Sequence, residues 1–176
     1  RIERLITDYS QMLKDEAAIS SEKMQKINLK SIVMSVVDDF NSIYNSKRGI
    51  SIKLKTNGLE DYVILGIENR IEQIIANLLE NSISFSEDNQ EIKVELSKKE
   101  NGNINLNVVD QGAGFKEKDT KKIFNRFYSN RPEKFGKHSG LGLNIVKNLV
   151  DLHSGQIFAT NNKNKGAKIE IIFPKA

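Results

Sequence analysis

The chain has no cysteine, which excludes disulfides and thiolate metal sites and fits a cytosolic setting. No stretch approaches the roughly 18 consecutive apolar residues of a membrane span, and no charged-then-apolar signal segment opens the sequence. Charge of one sign is also scarce: 27 Lys and Arg stand against 23 Asp and Glu, scattered rather than gathered in a stripe. That balance argues against a dedicated nucleic-acid surface, although a pI near 9.1 leaves one open. Histidine is rare, with two in all and none before His138. The first residue is Arg1 rather than Met, so the sequence is expected to be a piece of a longer protein, with any membrane anchor or sensor outside it. At 176 residues it is long enough for one domain with a sizeable core plus an arm, and too short for two ordinary domains.

Hydrophobic spacing supplies the outline. Ile2, Leu5, Tyr9 and Met12, thickened by Ile6 and Leu13, recur at three and four and predict a helical arm whose stripe needs a partner. Two heptads fit a coiled coil and packing on the chain's own domain equally. After a polar stretch near Ser20 to Lys26, Leu29, Ile32, Val33, Val36, Val37, Phe40 and Ile43 predict a helix to about Asn45, ending before Arg48-Gly49. Alternation predicts half-buried strands at 50–55, 92–96 and 104–108, the last two joined by a hairpin at Asn101-Gly102. Residues 62–66 read as a short buried strand, 141–152 as a helix, and the strands at 156–160 and 167–173 as a pair joined by an Asn/Lys/Gly turn. The expected class is α+β: a two-layer α/β sandwich with a mixed, mostly antiparallel sheet, about three helices on one face, and a helical arm in front.

Three segments carry chemistry. Within Gln73 to Ser86, Asn77 and Asn81 lie one helical turn apart, beside an apolar stripe of Ile71, Ile74, Ile75, Leu78 and Leu79. Asparagine is a poor helix former, so two in mid-helix require a reason: a neutral oxygen-donor site for magnesium, or a solvated polar face. Asp110-Gln111-Gly112-Ala113-Gly114 follows a strand. Its glycines let backbone approach a ligand and its carboxylate could accept the amino group of adenine, which guanine lacks at that position; an ordinary Asp/Gly turn is the alternative. Ser139-Gly140-Leu141-Gly142-Leu143 opens the helix before the last strand pair. Exposed N–H groups and the helix dipole would suit phosphates there, or glycine could serve close packing on the sheet. It is not a Walker A loop, and the element order does not match a Rossmann crossover.

Taken in order, Asn77-Leu78-Leu79-Glu80-Asn81-Ser82, Asp110 to Gly114, Ile123-Phe124-Asn125-Arg126-Phe127-Tyr128, Ser139 to Leu143 and Lys165 to Pro174 resemble the catalytic ATP-binding domain of sensor histidine kinases. That domain has the Bergerat ATP-binding fold shared with gyrase and heat-shock chaperone ATPases. The resemblance implies two parts: residues 1–26, the end of a dimerisation and phosphoacceptor hairpin with its linker, and 27–176, the catalytic domain. It implies ATP and Mg2+ as cofactors. Asn81 matches the magnesium ligand and Asn77 the preceding position lining the triphosphate, with a catalytic role. Phe85 matches the aromatic beside adenine and Asp110 the adenine-reading carboxylate. Gly112 and Gly114 match the first glycine box; Ser139, Gly140, Leu141, Gly142 and Leu143 the second, around the phosphates. Phe124 and Phe127 match the phenylalanine box, and Arg126 between them would stabilise charge on the transferred γ-phosphoryl group. Residues 128–139 correspond to the ATP lid.

Two positions depart from the pattern. Ser84 stands where the family often has a lysine or arginine, so that contact is missing or comes from Lys134 or Lys137. His138 replaces the common first glycine of the second box and reads as a lid residue; His153 is expected at the surface or at a helix cap. The phosphoacceptor histidine would then lie upstream of Arg1. The implied function is transfer of the ATP γ-phosphoryl to that histidine, for relay to a response regulator aspartate. The implied partners are the chain's own upstream helix, a receiver domain and a second copy in a homodimer. The fragment would be cytoplasmic, with the full-length protein open to anchorage in the inner membrane. Competing readings are an ATPase or protein serine kinase on the same fold, and a non-catalytic nucleotide-sensing module. Hydrolases of this fold carry a glutamate at the place of Asn77 to orient water, and its absence favours transfer.

Overall fold

The computed structural model describes residues 22–57, 61–126, 128, 140–163 and 165–176. The expected helical arm at 2–13 lies outside them. Strand β1 (Gln25–Asn28) leads directly into helix α1 (Leu29–Arg48). Asn28 turns the corner, its Oδ1 accepting the N–H groups of Lys30 and Ser31 at 3.0 and 3.4 Å. Lys47 and Arg48 sit in the last turn, where positive charge suits the helix dipole, and Gly49 closes the helix by donating to Asn45 O. Strands β2 (Ser51–Thr56) and β3 (Val63–Gly66) precede helix α2 (Glu68–Phe85), which carries both asparagines. Then follow β4 (Glu91–Lys98), β5 (Ile104–Val109), a 3-10 turn at Thr120–Phe124, α3 (Gly142–Leu152), β6 (Gln156–Asn161) and β7 (Ala167–Phe173).

Five strands form one sheet in the order β2-β4-β5-β7-β6, with β2 parallel to β4 and the other neighbours antiparallel. The three α-helices among the described residues and this mixed sheet make the expected α/β sandwich. The strands' inward residues, such as Ile92, Val94, Leu106, Val108, Ile169 and Ile171, meet Ile71, Ile74, Ile75, Leu78 and Leu79 of α2 in one core. Each such burial contributes about 1.5–3 kcal/mol, so α2 is the most heavily anchored helix. No helix among the described residues is long and apolar enough to cross a membrane.

Four local expectations are corrected. Strand β1 has no counterpart in the sequence reading; it pairs antiparallel with β3 in a separate two-stranded sheet. Because β3 has only that neighbour, it is half-buried rather than buried, and Leu65 is 52% exposed. Ile43 lies on the outer side of α1, beyond the stripe that packs. On β5, Asn105 and Asn107 are buried although they alternate with the core residues, since β4 and β7 flank that strand on both sides.

Both ends of α2 are held by distant groups. At its start, His153 is buried, and its Nε2 accepts the Ile67 N–H at 3.1 Å. The ring proton therefore sits on Nδ1, which donates to Leu149 O at 2.7 Å. His153 does cap α3, but the expected surface position is overturned, because this joint buries the ring between the two helices. At the far end, the Arg48 guanidinium donates to Ile83 O and Ser86 O at 3.0 and 2.7 Å and to Asp88 Oδ1 at 2.8 Å, placing a cation on the negative end of the helix.

Burial pushes the His153 imidazole below its ordinary value of 6.5, against the opposing pull of the Leu149 carbonyl. The unfolded chain therefore takes up a proton first as pH falls, so this contribution is complete above pH 6.5 and is lost as pH drops through the folded value. Urea unfolding measured from pH 8 to pH 5 should show the protein losing stability more steeply than a His153→Gln variant; parallel curves would exclude the joint as the cause.

Candidate nucleotide-binding site

Asp110 ends the central strand β5 and is 4% exposed. Its Oδ1 accepts two backbone hydrogen bonds, from Gly112 N at 2.9 Å and Ala167 N at 3.0 Å, while its own N–H donates to Ala167 O at 3.0 Å. Burial pushes the carboxyl above its ordinary value, with the Ala167 and then the Gly112 N–H pulling it back. Oδ2 has no hydrogen-bond partner among the described residues. One oxygen is thus committed to holding the loop, and the other remains an acceptor fixed in direction. A donor such as an exocyclic amino group would fit there, and a carbonyl would be repelled.

The glycines around Asp110 are set by close approach. A Cβ on Gly166 would stand 1.9 Å from Asp110 O, and the residue has φ +97°, a conformation that costs any L side chain strain. A Cβ on Gly112 would meet the Phe85 carbonyl oxygen at 2.6 Å. The end of α2 and the Asp110 loop are therefore in contact, which brings Phe85, Gly112 and Asp110 to one place. Phe85 itself is half-buried.

Asn77 and Asn81 are both half-buried on α2, one turn apart. Asn77 Nδ2 is buried with no hydrogen-bond partner among the described residues, a donor that an anionic oxygen would satisfy. Ser84 turns its hydroxyl back onto Asn81 O at 2.6 Å, so it makes no charge contact in place of the family's lysine.

Helix α3 begins with Leu141 as its cap residue and no capping side chain. A Cβ added to Gly142 would meet nothing within 4 Å among the described residues. Close packing on the sheet is therefore not why glycine stands there, and the open space beside the first-turn N–H groups is of the kind that receives anions. Leu141 is buried; Gly140, Gly142 and Leu143 are half-buried. Phe124 is buried in the 3-10 turn, and Arg126 just beyond it is exposed. Phe127, Ser139, His138, Lys134, Lys137 and most of the expected lid lie outside the described residues.

Two site-supporting residues escaped the sequence reading. Asn144 on α3 is buried and donates Nδ2 to Phe124 O at 2.9 Å, tying α3 to the turn that precedes Arg126. Asn161, at the end of β6, fastens to Phe115. A polar residue on a buried helix face is a visible signal for Asn144; nothing local marks Asn161. No group of three or more His, Cys, Asp or Glu that could hold a metal occurs among the described residues.

Residues 66–176 match the family model described as histidine kinase-, DNA gyrase B-, and HSP90-like ATPase. Over 176 aligned residues the chain is 35% identical to the sensor protein ChvG of Rhizobium meliloti (strain 1021), covering 96% of this chain and 30% of that protein. The chain thus spans about a third of the length of that relative. The catalytic domain of histidine kinase ThkA superposes with a TM-score of 0.76 at 26% identity, over 88% of this chain and 97% of that one. ThkA in complex with the response regulator protein TrrA gives a TM-score of 0.76 at 24% identity, over 99% of this chain and 49% of that one, a likeness of fold.

The two glycine environments predict opposite outcomes. Gly166→Ala should lower stability by about 3 kcal/mol, because both φ and the Asp110 carbonyl oppose the methyl group. Gly142→Ala should leave it within about 0.5 kcal/mol, as expected for a change away from packed features. Chemical denaturation of the two variants distinguishes them.

Proposed function

Since the chain belongs to the histidine kinase-, DNA gyrase B-, and HSP90-like ATPase family, we propose that it is the ATP-binding catalytic domain of a sensor histidine kinase. It passes the γ-phosphoryl group of ATP to a histidine outside these 176 residues, for relay to a response regulator aspartate. The observation that carries this reading is Asp110: a buried carboxylate with one oxygen locked by two backbone N–H groups and the other free to accept the adenine amino group.

The remaining roles are assigned on the same reading. Phe85 and the Gly112 to Gly114 loop flank the base. Asn77 Nδ2, buried with no partner among the described residues, would donate to phosphate oxygens, and the segment from Gly140 through Leu143 at the start of α3 would receive the phosphate chain. Phe127 and Ser139, which lie outside the described residues, are assigned to the adenine and phosphate walls by the family resemblance alone. Asn81 supplies a neutral oxygen for Mg2+; with no carboxylate cage among the described residues, this donor set fits an ion that keeps waters and takes its charge partners from the phosphates. When bound, the ion would neutralise phosphate charge. Arg126, exposed after the turn that Asn144 holds, approaches the transferred group from the other side. Asn77 is not a carboxylate, so the site has no base there to activate water, which favours transfer over hydrolysis.

His153 cannot receive the phosphoryl group, since it is buried with both ring nitrogens engaged. On this reading the acceptor lies on a dimerisation hairpin of which residues 1–26 would be the end and the linker, with a second copy of the chain and a receiver domain as partners. ThkA, whose fold this chain resembles, forms a complex with a response regulator protein.

The decisive experiment supplies a phosphoacceptor hairpin in trans with γ-labelled ATP and measures acid-labile, base-stable phosphate on it. ATP binding without transfer would reduce the chain to a nucleotide-binding module. Arg126→Ala should slow transfer about a hundredfold with nearly unchanged ATP affinity; equal losses in both would remove its role at the transferring group. Asn81→Ala should abolish the magnesium-dependent part of ATP binding in titration calorimetry, and its persistence would assign the metal to another residue.

A further inference from the structure

The loop from Asp110 to Phe115 is fastened at both ends, and the second fastening is a single exposed side chain. Asn161 accepts the Phe115 N–H on Oδ1 at 2.6 Å and donates Nδ2 to Phe115 O at 2.9 Å, so its carboxamide pairs with one residue's backbone as a neighbouring strand would. Across the sheet, Asn161 stands opposite Ala167, the residue whose N–H and C=O both bond Asp110. The loop therefore leaves the sheet at Asp110, arches over the end of β7, and is caught by β6.

Gly114 makes room for this catch. A Cβ there would lie 2.8 Å from Asn161 Oδ1 and 3.2 Å from Gly166 O, and its φ is +75°. In the middle of the arch, the Gly112 N–H is one of two donors among the described residues that orient Asp110 Oδ1. Release of the far end would let Gly112 drift. The carboxylate would then keep the Ala167 donor alone and could rotate about its broad terminal torsion.

Taking Asp110 as the adenine acceptor proposed above, we infer that Asn161 is a positioning residue for base recognition. It touches no part of the nucleotide in this scheme and acts by holding the glycine loop, so that Asp110 Oδ2 points in one direction. Its removal should cost adenine recognition more than it costs phosphate binding. The Asn81 and α3 end of the site is reached through other elements.

The test compares the 176-residue chain with Asn161→Ala, Asp110→Asn and the double variant, measuring ATP and GTP affinities by competition titration alongside thermal melts. Two lost hydrogen bonds at a solvent-exposed joint should weaken ATP binding about tenfold. GTP binding should change much less, so the preference for ATP over GTP shrinks. In the Asp110→Asn background, Asn161→Ala should add nothing further to that ratio. If Asn161→Ala lowers ATP and GTP affinity by the same factor, or lowers only the melting temperature, the residue is structural and the positioning role is overturned. If Asp110→Asn weakens ATP while Asn161→Ala has no effect, the positioning role alone fails and the adenine assignment stands. An ineffective Asp110→Asn overturns both. A cycle on stability adds an independent reading: Gly114→Ala should cost less in the Asn161→Ala background, and an unchanged cost would mean that the amide does not occupy the space the glycine leaves.

Discussion

Helix α2 cannot slide, and the rest of the molecule is arranged around that constraint. Its apolar stripe, Ile71, Ile74, Ile75, Leu78 and Leu79, is almost wholly removed from water between the sheet and the other two helices. Burial of that area is non-directional and would tolerate small shifts; the two ends do not. His153 takes the first N–H of the helix and Arg48 takes its last carbonyls, groups that every helix leaves unpaired. Fixed between a neutral ring and a cation, the helix holds Asn77 and Asn81 one turn apart at a set height, packed against α3.

The polar groups divide into those that build and those that wait. Asn28, Asn161 and Asp110 Oδ1 spend their hydrogen bonds on backbone, as Arg48 does for all but its bond to Asp88, each closing a corner of the fold. Asn77 Nδ2 and Asp110 Oδ2 have no such partner among the described residues, and both belong to the segments that face the proposed nucleotide. Leaving a buried polar atom unpaired costs about 1–3 kcal/mol. Asn77 Nδ2 bears that cost on α2 and would recover it on meeting an anionic oxygen. Arg70, in contrast, is buried but paired with Glu22 through two nitrogens at 3.2 and 3.0 Å, a link between α2 and the segment before β1.

Much of this was legible beforehand, for local reasons. The three-four spacing of α1 and α2, the alternation of β4 and the Asn101-Gly102 hairpin all survive in the structure, because each depends on neighbours within a few residues. Asp110 and its glycines were recognisable as a ligand-facing turn, and Gly142 was open to two explanations until its empty surroundings removed one. What could not be read was anything set by a distant partner. Strand β1 is four residues with one buried side chain, too short to announce itself, and it exists because β3 lies beside it. Leu65 and Ile43 carry core-like side chains, yet their elements turn those faces outward.

The amino-acid sequence by itself determined the order of helices and strands, the class of the sheet and the family, since periodicity, turn residues and motif order are properties of short segments. Tertiary structure alone decided that His153 is an internal joint rather than a surface residue, that Gly166 must be bare to admit Asp110, and that Asn161 holds the glycine loop. Those contacts join positions 86, 56 and 46 residues apart. At such separations only the completed burial of the core brings the partners within hydrogen-bonding reach, and no local pattern can encode the meeting.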